Sequence, residues 1–114
     1  MFQFMRGIAL VAAMVLNSEA ALAESANLRM PGCRSFAKQD MDSRQIFAAG
    51  VCSGIVEALI SVGPALEICK PSGANYGQST QVIVQYIDQR SARMHEEFIV
   101  LAIEALRAAW PCKN

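Results

Sequence analysis

The sequence predicts a small all-α protein, a disulfide-stapled bundle of about four helices. Three observations carry that expectation. Residues 44–62, RQIFAAGVCSGIVEALISV, run without a helix breaker until Gly63 and Pro64, a combination that ends helices. Phe98, Leu101, Ala102, Ala105 and Ala109 recur at i, i+3, i+4, i+7 and i+11, the spacing that lines one helical face. Four cysteines, Cys33, Cys52, Cys69 and Cys112, occur in a chain of 114 residues. An even number in a short exported chain marks a disulfide framework, because a small core supplies little stability on its own.

Export is read from the N-terminal residues. Arg6 precedes the uncharged run GIALVAAMVL, and Ala21-Leu22-Ala23 follows as a small-x-small cleavage site. A span needs about 20 apolar residues, more than this run holds. Residues 1–23 therefore read as a secretory signal peptide cut after Ala23. The alternative is an uncleaved anchor, against which Asn17 and Glu19 interrupt the apolar stretch. Removing 23 residues from 114 leaves 91, residues 24–114, as one small domain. The leader takes one basic residue, Arg6, and one acidic residue, Glu19, from the ten of each, so the remainder is neutral. Such a chain offers no basic field for nucleic acid and no polybasic patch for a membrane once the leader is gone.

The first element is a weak helical patch over residues 28–39, with Leu28, Cys33 and Phe36 as its apolar members and Pro31-Gly32 near its start. The second starts at Asp42 or Ser43, both good N-cap types, and is the longest helix. Residues 46–66 also admit a membrane-span reading, with one charge, Glu57, and a Gly50-x-x-x-Gly54 motif. Pro64 inside that stretch and the cysteines around it favour a soluble helix, whose Gly50, Gly54 and Ala58 stripe lets a neighbouring backbone approach closely. Residues 63–78, GPALEICKPSGANYGQ, form a long connection carrying Cys69. A connection of that length in a small domain is functional or needs pinning.

Ser79 or Thr80 can cap the next element, QVIVQYIDQR, whose periodicity fits either strand or helix. Ser91 can cap the last helix, with Glu96 and Glu97 in its first turns, where the helix dipole favours acids. Pro111 stops it.

Cys112, two residues from the end, needs a partner elsewhere to be useful. If the three strongest elements pack antiparallel in order, the last ends where the loop with Cys69 begins. The first helix, antiparallel to the second, brings Cys33 beside Cys52. Cys33–Cys52 with Cys69–Cys112 is thus the least distorted of the three connectivities, each bridge contributing about 3–4 kcal/mol. No C-x-x-C pair is present and His95 is the only histidine, so no metal, no cofactor and no catalytic Cys-His pair is expected.

Four stretches carry a resemblance. They are G-V-C-S-G-I-V-E-A at 50–58, I-C-K-P-S-G at 68–73 followed by Gln78, V-I-V-Q-Y-I at 82–87, and A-L-R-A-A-W-P-C at 105–112. With the leader and the ordered cysteines, they resemble the Rap/Tai family of type VI secretion amidase immunity proteins. The resemblance implies an all-helical, disulfide-bonded, periplasmic homodimer, and makes residues 80–90 a helix. It further implies a non-enzymatic protein that occludes the active site of a cell-wall amidase effector.

The matched motifs are scaffold, so the candidate toxin-binding residues come from the loops. Residues 70–77 offer Lys70 and Asn75, with Tyr76 as an aromatic anchor; residues 88–95 offer Arg90, Arg93 and His95. Two other readings stand beside this one. One is a small periplasmic acid-stress or holdase chaperone. The other is a family scaffold with no toxin partner.

Overall fold

The computed structural model describes residues 24–113. The leader expected over residues 1–23 lies outside them. Four α-helices make up the described chain: α1 Ala26–Lys38, α2 Gln45–Ser61, α3 Tyr76–Asp88 and α4 Phe98–Ala109. Short 3-10 turns, Gly63–Leu66 and Ser91–Arg93, follow α2 and α3. Among the described residues the only β pairing is two isolated bridges, Ser25 with Glu97 and Ile68 with Pro111. Residues 80–90 are thus helical, as the resemblance implied. None of these helices is long and apolar enough to cross a membrane.

α1 buries Ala26, Met30 and Cys33, positions i, i+4 and i+7 of one face. Leu28, expected among the apolar members of this helix, is corrected: it is exposed and Met30 fills the core, because Leu28 lies five residues from Cys33 and so off the face that Ala26, Met30 and Cys33 share. Pro31 sits inside α1. Its missing donor strands only the Asn27 carbonyl, on an exposed face where water can satisfy it. Gln39 ends the helix in the left-handed conformation, φ 55°, and donates its backbone N–H to the Phe36 carbonyl.

α2 is introduced by a capping box. The Asp42 carboxylate accepts the N–H groups of Arg44 and Gln45 at 2.9 and 3.0 Å, and the Gln45 side chain accepts the Asp42 N–H at 3.0 Å. Ala49, Cys52, Val56 and Leu59 face inward. The expectation that Gly50, Gly54 and Ala58 meet a neighbouring backbone is overturned within this chain. All three are exposed, and a Cβ built on Gly50 or Gly54 meets nothing within 4 Å. The close approach falls at Gly32 of α1 instead, where a Cβ would stand 2.6 Å from the Ala48 carbonyl carbon.

α3 starts a turn earlier than its expected caps. Asn75 caps it, accepting the Gln78 N–H at 2.8 Å. Ser79 and Thr80 lie buried inside it, their hydroxyls donating to the carbonyls of Asn75 and Tyr76 at 3.1 and 2.9 Å. α4 starts later than Ser91, at Phe98, for a backbone reason. Residues 94–98 pair with the head of α1: Ala26 N–H donates to Glu96 O, Asn27 N–H to Met94 O and Phe98 N–H to Glu24 O, each 2.9 Å. Those bonds occupy the Met94 and Glu96 carbonyls and the Phe98 N–H, so only single turn bonds, such as Glu96 N–H to Arg93 O, form between Ser91 and the helix. Phe98, Leu101, Ala102 and Ala105 are buried as the spacing predicts. Leu106 joins them, while Ala109, expected on that face, is exposed at the helix end.

Cys33 is bonded to Cys52, and Cys69 to Cys112, the pairing that the packing order favoured. The first joins α1 to α2 within the core. The second joins the α2–α3 connection to the tail after α4.

Candidate functional site: two ordered loops and an uncovered helix face

The α2–α3 connection is locked at several points. Gly63 admits the chain where no other residue would, since a Cβ there would lie 2.7 Å from the Ile68 carbonyl oxygen. Ile68 N–H returns to Gly63 O at 2.8 Å, and Ile68 is buried. Cys69 N–H donates to Trp110 O at 2.8 Å beside its own disulfide. Arg107 of α4 donates two hydrogen bonds to the Leu66 carbonyl, at 3.1 and 3.0 Å.

Beyond that tether lie the first candidate residues. Lys70 does not reach into solvent for a partner: its ammonium donates to the carbonyls of Pro71 and Ala74 across its own loop. Asn75 is spent on the α3 cap. Pro71, Ser72 and Gly73 form an exposed, uncharged tip, and Tyr76, 40% exposed, stands at its shoulder. A loop ordered this way in the free protein loses little entropy on binding.

The second candidate segment is braced rather than free. The Arg90 guanidinium stacks over the Tyr86 ring, 3.6 Å from its centroid, and donates to the Tyr86 carbonyl at 3.0 Å. Arg93 forms a fork with Glu96 at 2.6 and 2.9 Å and a second with Glu104 at 2.8 and 3.1 Å. Tyr86 OH donates to Glu104 at 3.3 Å. Hydrogen bonding to Arg93 is the main reason the Glu96 and Glu104 carboxyls are held below their ordinary range. The same bonds, Glu96 first, push the Arg93 pKa upward. His95 is exposed.

The fold does not gather these six residues into one cluster. Lys70, Asn75 and Tyr76 lie at the start of α3, and Arg90, Arg93 and His95 beyond its end. The twelve steps from Tyr76 to Asp88 make about 18 Å of helix at 1.5 Å per residue.

Sequence reasoning missed Phe47. It is 80% exposed, and with Gly50, Gly54, Ala58 and Ser61 it occupies the outward side of α2, flanked by Ile46, Val51 and Glu57. An outward helix face is ordinarily polar; one that is apolar all round belongs in an interior or an interface. The signal was present in the near-absence of charge from residues 45–61. Beside it a shallow cleft of about 240 Å³, lined by Pro31, Gly32, Ser35, Arg44, Gln45 and Ala48, falls below the ~300–1,000 Å³ of small-molecule sites.

Rigid loops, an uncovered apolar helix face and a disulfide-stapled core make a scaffold suited to protein contacts. The family model for Rap1a immunity proteins matches residues 18–112, and the chain belongs to that family. No curated protein and no solved structure matches it.

Proposed function

We propose that this protein acts in the periplasm as an immunity protein, neutralising a peptidoglycan amidase toxin delivered by type VI secretion. The mechanism is occlusion without chemistry. The loop at residues 70–77 enters the toxin cleft as a preformed wedge, its tip Pro71, Ser72 and Gly73 leading and Tyr76 packing at the rim. The observation that carries this reading is the threefold fixing of that loop in the free protein, by Cys69–Cys112, by Lys70 across the turn and by the Asn75 cap. Membership of an immunity family supports a toxin as the partner. The leader motif and the two disulfides support export to an oxidising compartment.

The reading includes a homodimer, and the outward face of α2 is the surface that favours it. Phe47 is a knob, and Gly54 and Ala58 lie about two and three turns along the same face as a shallow floor. Two copies related by a twofold axis near the middle of α2 place each Phe47 on the other's floor, which makes the face self-complementary.

Titration of a peptidoglycan amidase effector with the oxidised protein tests the proposal. Complete inhibition is expected at one protein chain per active site, with Tyr76→Ala weakening inhibition at least about tenfold, as for an aromatic anchor. Unimpaired amidase activity at saturating protein contradicts it. Selective capture of unfolded clients in acid would instead favour the chaperone reading.

A further inference from the structure

We infer that Cys69–Cys112 is a selectively reducible clamp: a dithiol opens it while Cys33–Cys52 stays closed, releasing the α2–α3 connection from the end of α4 without unfolding the bundle. The two bridges have opposite surroundings. Cys33 and Cys52 are both 0% exposed, walled in between α1 and α2. Cys69 is exposed and Cys112 partly so. Thiol exchange requires a thiolate to reach a disulfide sulfur, so access separates the two.

The exchange balances with a dithiol as reductant. One thiolate attacks the Cys112 sulfur, forming a mixed disulfide and expelling Cys69 as thiolate. The second thiol of the reductant attacks its own sulfur in the mixed disulfide, closing a reductant disulfide and expelling Cys112. Two electrons and two protons pass from the dithiol to the protein, leaving two cysteine thiols.

Opening leaves the part of the connection before Cys69 anchored by buried Ile68 and its N–H bond to Gly63 O, and leaves only polar contacts to the end of α4. These are the Cys69 N–H bond to Trp110 O, the Ile68–Pro111 bridge and the exposed Arg107 bonds to Leu66 O. The helical core keeps its own contacts: Ile68 stays seated in it, and Met30, Val56, Ile83, Phe98, Leu101 and the buried bridge are untouched. Resting on the toxin-wedge reading, the consequence is that binding competence follows oxidation. A chain still in a reducing compartment carries a loose loop, and its wedge becomes rigid only where disulfides form.

The test uses dithiothreitol on the oxidised protein, with alkylation, peptide mapping and hydrogen exchange at successive times; no toxin is involved, so its outcome is independent of the wedge reading. Cys69 and Cys112 are expected to alkylate at least about tenfold faster than Cys33 and Cys52, following access. Exchange should rise over residues 69–75 and 110–113 while α1 to α4 keep their protection. A full-chain Cys112→Ser variant should show the same local loosening with native helix content. Equal reduction rates, earlier loss of Cys33–Cys52, unchanged exchange after the clamp opens, or global unfolding of Cys112→Ser would each overturn the inference.

Discussion

Gly32 and Gly54 are one residue type in opposite surroundings. A methyl group on Gly32 collides with the backbone of Ala48, whereas on Gly54 it meets open space. Gly32→Ala should therefore cost about 1–3 kcal/mol, as overpacking does. Gly54→Ala should add about 0.5–1 kcal/mol through helix propensity; urea unfolding checks both. Arg93 supplies the second prediction at this scale. Glu96 and Glu104 sit below their ordinary 4.5 in the native protein. As pH falls, the unfolded chain takes up protons first, so their stabilisation is full above about 4.5 and is lost through the lower native values. Arg93→Gln should flatten that acid limb, measured as urea midpoint against pH. At this scale the sequence was least legible. Gln39 and Glu67 adopt left-handed conformations, φ 55° and 60°, which their residue types do not announce. Arg90 and Arg93 read as free cations although Tyr86 lies four residues before the first and Glu96 three after the second; only Glu104, on α4, is brought in by the fold.

At the scale of elements, helix existence was legible and helix starts were not. Asn75, Ser79 and Thr80 are all acceptable caps, and only the buried side of the hydroxyls in α3 decides among them. Ser91 looked like a cap until the pairing of residues 94–98 with residues 24–27 claimed that backbone. The α2 stripe was recognised as a contact surface, but its orientation depends on which face Cys52 draws inward. Phe47→Glu tests the outward face. It places a charge where the proposed interface seats an aromatic knob while touching no core residue, so sedimentation should show a dimer dissociating at least about tenfold more readily, with the urea stability of the monomer unchanged.

Across the whole molecule, four cysteines and an apolar helix pattern sufficed for the fold class, because a neutral 114-residue chain has few ways to bury two such helices and staple them. The disulfide pairing followed from element order. The loop geometry was less accessible: that residues 70–77 would be rigid depends on Lys70 turning back on Pro71 and Ala74, a contact no spacing rule foretells. The proposed wedge gives Cys69–Cys112 a purpose, since that bridge holds the base of the loop. The most direct measurement is capture of partners from a type VI secreted fraction on the oxidised protein, followed by assay of peptidoglycan amidase activity in the captured material. One stoichiometric amidase is expected, inactive in the complex, active once released, and poorly retained by Tyr76→Ala. An amidase that remains active while bound, or a fraction from which no hydrolase is retained, would contradict it.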